Sequence, residues 1–368
     1  MRFTCEKNML VQAINIASRT VAQKSSLSVI EGILCRAGHV LSLTGYNMET
    51  AITYEIAAEI NDPGVCILPA KLFADIIRRL PEGPVTVVVD ETYKVSIRAG
   101  FASFTIAAEN ADDYPELPDV GEGRGIKIPQ NALKQLIGGT IFAVSENQAR
   151  PIHTGVRFEV EDNAISAIAV DGFRLARRTY HPEAPTGRTL AFVVPAQALK
   201  EVEKILTDSE DNAVFTLGTK HILFQIGGAT LVCRLLDGDF LDWKKVVPTN
   251  CPVKLVANVG DLSSSIERVG LIVSEKFKSP VRCIFSNQVL QLRTTTIGAA
   301  EDQCSIAGDG KELEIGFNVR YLADALRAVP SEEVTLELTN GLSPIVLTPV
   351  DDKVDFAYMV LPVRLKSN

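Results

Sequence analysis

Leu68-Pro69-Ala70 opens a helical stripe of Leu72, Phe73, Ile76, Ile77 and Leu80, which Pro81 and Gly83 bring to an end. Steps of three and four residues put all five on one helix face. The same device returns as Val194-Pro195-Ala196, followed by Leu199, Val202, Ile205 and Leu206. It returns again as Phe317-Asn318-Val319, followed by Leu322, Leu326 and Val329. The openings Pro69, Pro195 and Asn318 lie 126 and 123 positions apart. A proline suits the start of a helix because the N–H it lacks has no intrahelical partner there.

Outward from each opening the order of elements is also the same. Before Pro69 comes a helical stripe of Leu10, Ala13, Ile14 and Ala17, then strand-like runs at 33–35, 40–44 and 51–56. After it come runs at 85–89, 93–97 and 101–106, with Ala99-Gly100 as a hairpin turn. The stretch from Tyr114-Pro115 to Gly125 reads as a flexible linker. The second round has a stripe of Leu133, Leu136, Ile137, Ile141 and Val144, with strands at 156–160 and 165–170 before Pro195 and at 214–217, 222–226 and 231–235 after it. The third has Leu262, Ile266, Val269 and Val273, with strands at 281–285 and 289–294 before Asn318 and at 334–338 and 345–348 after it. The expectation is an α+β chain of three repeated units, 1–121, 126–249 and 251–368, each with two helices on antiparallel sheet. Three unrelated α+β domains of similar size are the alternative.

The chain has 368 residues, 46% hydrophobic and 22% charged, the balance of a soluble globular protein with more than one core. The start, Met1-Arg2-Phe3-Thr4-Cys5-Glu6, becomes charged too early for a signal peptide. No apolar run approaches the ~18 residues that span a bilayer. Seven scattered cysteines without a CxxC pair read as reduced core residues of a cytoplasmic protein.

Chemistry is sparse. The four histidines, His39, His153, His181 and His221, have no metal-ligand spacing. There is no HExxH, GxSxG or GxxxxGK[ST] motif, and Gly121 to Gly125 lacks the strand-then-helix context of a phosphate loop. The acidic pairs read as turns and solvated faces. The expectation is a protein that is not an enzyme and needs no cofactor or metal.

The charge is unevenly spread. Net charge is −8, yet the helical spans 6–19, 70–80, 130–145, 195–207, 260–278 and 319–329 hold 13 basic and 8 acidic residues, which leaves 24 basic and 37 acidic elsewhere. Helices that lean positive inside an acidic protein suit a polyanion, met by phosphate contacts that carry no sequence information. The candidates are Arg19, Lys24, Arg78, Arg79, Lys134 and Arg150, together with Lys200, Lys204, Arg268, Lys276, Lys278 and Arg327.

Along nearly its whole length the chain resembles the bacterial DNA polymerase III β subunit, the replication sliding clamp. The matching pieces include Met1-Arg2-Phe3-Thr4, Leu41-Ser42-Leu43-Thr44-Gly45, Arg79-Leu80-Pro81-Glu82-Gly83 and Asp171-Gly172-Phe173-Arg174-Leu175-Ala176. Ser274-Glu275-Lys276-Phe277, Glu314-Ile315-Gly316-Phe317-Asn318-Val319 and Leu361-Pro362-Val363-Arg364-Leu365 complete them. The resemblance implies a head-to-tail homodimer closed around double-stranded DNA, working at the nucleoid in the cytoplasm. A scaffold that binds proteins without encircling DNA is the alternative.

The resemblance also implies a groove for Gln/Leu/Phe-type peptides of the polymerase III α subunit, the clamp loader, translesion polymerases and mismatch-repair proteins. Its wall would include Val170, Gly172, Phe173, Arg174, Leu175, Lys245, Val246 and Leu342. Pro344, Met359, Val360, Leu361, Pro362, Val363 and Arg364 would complete it. Phe173 stands where the family often has histidine, Leu241 where it has proline, and His153 where an apolar residue lines the groove. The chain also continues as Lys366-Ser367-Asn368 beyond the usual last leucine. For the dimer contact the resemblance pairs Phe104 and Ile106 of one chain with Ile272 and Val273 of the other.

Overall fold

The computed structural model describes all residues except 122, 124, 274–279, 287, 296, 309–311 and 366–368. One pattern, strand–helix–strand–strand–strand, runs through it six times. The first repeat is β1 (Arg2–Glu6), α1 (Lys7–Ala17), β2 (Gly32–Ala37), β3 (Leu41–Tyr46) and β4 (Thr50–Ile56), with an added strand β5 (Glu59–Asp62). The second is β6 (Gly64–Pro69), α2 (Ala70–Arg79), β7 (Pro84–Val89), β8 (Lys94–Ala99) and β9 (Ala102–Ala107). The third is β10 (Ile126–Pro129), α3 (Gln130–Gly138), β11 (Gly155–Glu161), β12 (Ala164–Val170) and β13 (Arg174–Tyr180). The fourth is β14 (Leu190–Pro195), α4 (Ala196–Ile205), β15 (Asn212–Leu217), β16 (His221–Ile226) and β17 (Ala229–Arg234). The fifth is β18 (Val253–Asn258), α5 (Val259–Gly270), β19 (Val281–Ser286), β20 (Val289–Thr295) and β21 (Ala299–Ala307). The sixth is β22 (Leu313–Phe317), α6 (Val319–Arg327), β23 (Glu333–Leu338), β24 (Ile345–Thr348) and β25 (Asp355–Val360).

The expected α+β class holds, and the repeat is finer than the sequence reading had it. Pro69 and Pro195 end strands, and the helix begins at the next residue. Asn318 is an N-cap whose side-chain oxygen accepts the Arg320 amide at 2.9 Å. Every helix follows its strand almost without a break, so no turn residues separate the two. α3 stops at Gly138, short of the expected 145; Thr140 leaves the helical region at φ −132°, its hydroxyl donates to the Leu136 carbonyl at 2.7 Å, and Gly139 between them has no room for a side chain. A Cβ at Gly139 would lie 2.6 Å from Arg178 Cδ and 2.8 Å from the Gln135 carbonyl. α5 stops at Gly270, and residues 274–278 of its expected span lie outside the described residues.

Each leading strand pairs with the three strands of its neighbouring repeat. β1 joins β7-β8-β9 and β6 joins β2-β3-β4; β10 joins β15-β16-β17 and β14 joins β11-β12-β13; β18 joins β23-β24-β25 and β22 joins β19-β20-β21. The chain divides into two compact units, residues 1–133 with 198–235, and residues 134–197 with 236–368. In the first, β4 and β17 pair antiparallel and fuse two four-stranded sheets into eight strands. In the second, β13 and β25 pair in the same way inside a twelve-stranded sheet. The two edges corresponding to these, β9 and β21, have no such neighbour among the described residues. β21 meets β18 only at Ile306 and Ala307.

The core follows from the helix stripes. Leu10, Ala13 and Ile14 of α1 and Phe73 and Ile77 of α2 are buried with Phe3, Leu43, Val87 and Ile97 from the strands. Arg78 joins the two helices by donating to Asn15 Oδ1 at 2.6 Å. All seven cysteines are buried and free. Gly123 and Gly125, in the expected linker, pack closely against a strand. A Cβ at Gly123 would meet Thr216 Cγ2 at 2.7 Å, and one at Gly125 would meet Val214 Cγ1 at 2.4 Å, so the glycines let the chain lie against β15. The turn after β8 is Gly100-Phe101, with Gly100 at φ 54° and Phe101 fully exposed. No helix among the described residues is long and apolar enough to cross a membrane.

Candidate functional site

The turn from β12 to β13 is built by Asp171. Its Oδ1 accepts the amides of Phe173 at 2.9 Å and Arg174 at 3.0 Å, while Gly172 takes the left-handed φ of 90° that the turn requires. This presents Phe173 outward, 60% exposed. The Leu361 amide donates to the Phe173 carbonyl at 2.8 Å, which lays the segment after β25 beside the turn. The Phe173 ring stacks on Tyr321 of α6, with centroids 6.1 Å apart.

From here a groove of about 1030 Å³ opens. Phe173, Leu361, Pro362 and Val363 form one wall. The opposite wall comes from α5 and α6, through Gly270, Leu271, Val273, Val319 and Tyr321, with Glu267, Arg320 and Arg327 as its charges. The sequence reading missed this wall. The signal was available: Leu271 is a large apolar residue off the stripe of Leu262, Ile266, Val269 and Val273, and it is 81% exposed.

The remaining expected residues divide by strand alternation. Met359 and Ala357 face one side of β25 and form a buried patch with Ile168, Val170, Leu175 and Val346. Phe240, Trp243, Val247 and Leu361 cover that patch. Val360, Tyr358 and Phe356 face the other side and are fully buried, so Val360 is core and not groove wall. Arg174 does not line the groove either. Its guanidinium bonds Asp171 at 2.9 Å and Asp324 at 2.7 Å and lies 4.5 Å from the Tyr321 ring centroid. Lys245 is exposed and paired with Asp242 at 2.9 Å; Val246, Leu342 and Arg364 are exposed, and Pro344 is half-buried. His153 lies edge-on to Phe240 at 5.4 Å, where burial and then the Arg150 charge lower its pKa.

At the expected dimer contact, Phe104 is 40% exposed and Ile106 is half-buried against the core of its unit. Ile272 and Val273 are also half-buried, and the residue that projects is Leu271.

The charge split persists with the observed helix ends. The six helices hold ten basic and six acidic residues in a chain of net charge −8. Acidic neighbours temper it. Arg19 meets Glu201 at 3.4 Å, Lys204 meets the same carboxylate at 2.7 Å, and Arg78 and Arg79 share Asp75. Arg268 pairs with Asp302, and Arg327 pairs with Asp324. Lys24, Arg150 and Lys200 are exposed and have no acidic partner among the described residues. Lys134 is half-exposed, and Lys276 and Lys278 lie outside the described residues.

Comparison with known proteins matches three consecutive models of the DNA polymerase III beta subunit: N-terminal domain at residues 1–118, central domain at 127–242 and C-terminal domain at 244–364. A beta sliding clamp of Staphylococcus epidermidis is 30% identical over 99% of both chains. Among solved structures, a DNA polymerase III beta subunit from Eubacterium rectale is 31% identical with a TM-score of 0.93, covering 99% of both chains. The DNA polymerase sliding clamp of Bacillus subtilis is 29% identical with a TM-score of 0.94, covering 100% of both. With its six-repeat fold and its full-length likeness to these proteins, the chain belongs to the DNA polymerase III beta subunit family, the beta sliding clamps.

Proposed function

We propose that two copies of this chain close head to tail around duplex DNA, slide on it, and tether the replicative polymerase and other replication and repair proteins. The observation that carries the ring is the strand-pairing rule. The last strand of an odd repeat pairs with the last strand of an even one in β4–β17 and again in β13–β25. One such pair, β21 with β9, is left over. All six residues of β9 are at least partly exposed, an edge that calls for a covering strand. A second copy supplies it twice, once at each end, which is head-to-tail closure. Phe104 and Ile106 would then face Leu271 and Ile272 of the other chain.

Sliding suits weak phosphate contacts from Lys24, Arg150, Lys200 and the basic helix residues, since persistence comes from enclosure. Short peptides with Leu or Phe anchors would seat against Phe173, Leu361 and Pro362, with the Met359 patch beneath. The polymerase III α subunit, clamp loader, translesion polymerases and mismatch-repair proteins would carry them. The protein acts through shape, without catalysis, at the nucleoid in the cytoplasm. Light scattering at micromolar concentration tests closure. A mass of two chains supports it, and a stable monomer contradicts it.

A further inference from the structure

The turn that presents Phe173 has a counterpart in the first compact unit. Asn47 Oδ1 accepts the amides of Glu49 at 3.1 Å and Thr50 at 2.8 Å, as Asp171 does for Phe173 and Arg174. Met48 takes a positive φ of 72°, where Gly172 has 90°. The Arg234 amide donates to the Glu49 carbonyl at 3.3 Å, as Leu361 does to Phe173. The strand registers agree as well. Tyr46 faces Ala51, which faces Val232; Val170 faces Leu175, which faces Met359.

Tyr46, Ala51 and Val232 therefore correspond to Val170, Leu175 and Met359, and they too form a buried apolar patch. Tyr114 and Val120, from the segment after β9, pack on this patch. That segment is fastened at both ends. Glu109 exchanges two backbone hydrogen bonds of 2.9 Å with Ile67, and Val120 lies so close to Gly218 that a Cβ there would be 3.0 Å away. Glu49 stands at the position of Phe173, and Thr50 at that of Arg174.

The Tyr114 hydroxyl is the odd feature. It is buried with no hydrogen-bond partner among the described residues. A buried hydroxyl left without a partner is destabilising, since it has given up water for nothing. The ring thus fills the patch by its apolar body alone, as an anchor from a bound peptide would.

We propose that the β4–β17 patch is a second peptide site held shut by the chain's own segment 111–120, with Tyr114 in the place of a partner's aromatic anchor. Releasing the segment opens it to the same class of apolar-anchored peptide. The proposal rests on the reading of the Phe173 groove as a peptide site, and the test separates the two.

The chain has one tryptophan, Trp243, and it borders the Phe173 groove's buried patch alone. Its fluorescence reports that site, while calorimetry with a synthetic Gln/Leu/Phe peptide counts all sites. In the native chain both should saturate at one peptide per chain; no response from Trp243 would count against the groove. In Tyr114→Ala/Val120→Ala a second, Trp-silent equivalent should appear, about tenfold weaker because Glu49 replaces the aromatic. Tyr114→Phe keeps the filler and should bind one peptide. Should the double variant fail to fold, Val120→Gly alone carries the test by loosening the segment at Gly218. A folded, loosened variant that takes up no more peptide than the native chain overturns the proposal.

Discussion

Arg174 on β13 and Asp324 on α6 are joined by a 2.7 Å ion pair between side chains only 10% and 17% exposed. Asp171 grips the same guanidinium at 2.9 Å, and Asp324 also holds Arg327. This arrangement fixes the Phe173 turn against α6. Removing one partner leaves shielded charge uncompensated, so Arg174→Ala should lower unfolding free energy by about 3 kcal/mol. Arg174→Lys should not restore it, because an ammonium cannot make the planar contact over Tyr321. Urea denaturation of the three proteins measures both.

Phe173 is largely outside, so its loss should be nearly silent in stability. Phe173→Ala should change unfolding free energy by less than about 0.5 kcal/mol. Affinity for a Gln/Leu/Phe peptide should fall at least about tenfold, since an aromatic anchor contributes more than about 1.4 kcal/mol. Calorimetric titration decides. Unchanged affinity places the peptide elsewhere.

Leu271 is 81% exposed in the single chain. A glutamate there would put a charge into the proposed dimer contact while leaving the isolated fold alone. Leu271→Glu should therefore run as a folded monomer in light scattering, with native circular dichroism. A Leu271→Glu protein that stays dimeric removes this residue from the contact.

His153 gives a pH dependence. Burial, then the Arg150 charge, lowers its pKa below the usual 6.5. The unfolded chain therefore takes up the proton first as pH falls. The stabilisation is complete above about 6.5 and is lost as pH drops from there towards the folded value. Stability should fall between pH 7.5 and 5.5, and His153→Phe should flatten that slope. An equal slope in both proteins assigns the effect to other groups.

The helices were legible in the sequence because each buries a stripe at three- and four-residue spacing, as α2 does with Phe73, Ile76 and Ile77, although Leu72 of the expected stripe is 49% exposed. The leading strands were not. Gly64–Pro69 passes into α2 at one residue, so no turn marks the change of period. β13 was hidden by its arginines. Arg178 is buried and bonds Gln135 at 2.8 Å, a partner 43 positions away. In the groove, likeness to a family is what points to Phe173 and Leu361 to Val363. The facing wall was missed because residues such as Ile266 and Ala323 also serve the helix core. Val360 was misplaced by one step of strand alternation. The equivalence of Asn47 and Asp171 appears only when their hydrogen bonds are compared, since the two turns share no residue in Asn47-Met48-Glu49-Thr50 and Asp171-Gly172-Phe173-Arg174.

The central claim is enclosure of DNA, and retention on circular DNA measures it most directly. Protein assembled on a nicked circle by a clamp loader should remain through gel filtration at a salt concentration that strips simple phosphate binders. Cutting the circle once should release it. Retention that is the same on the circle and on the linear product would contradict the account.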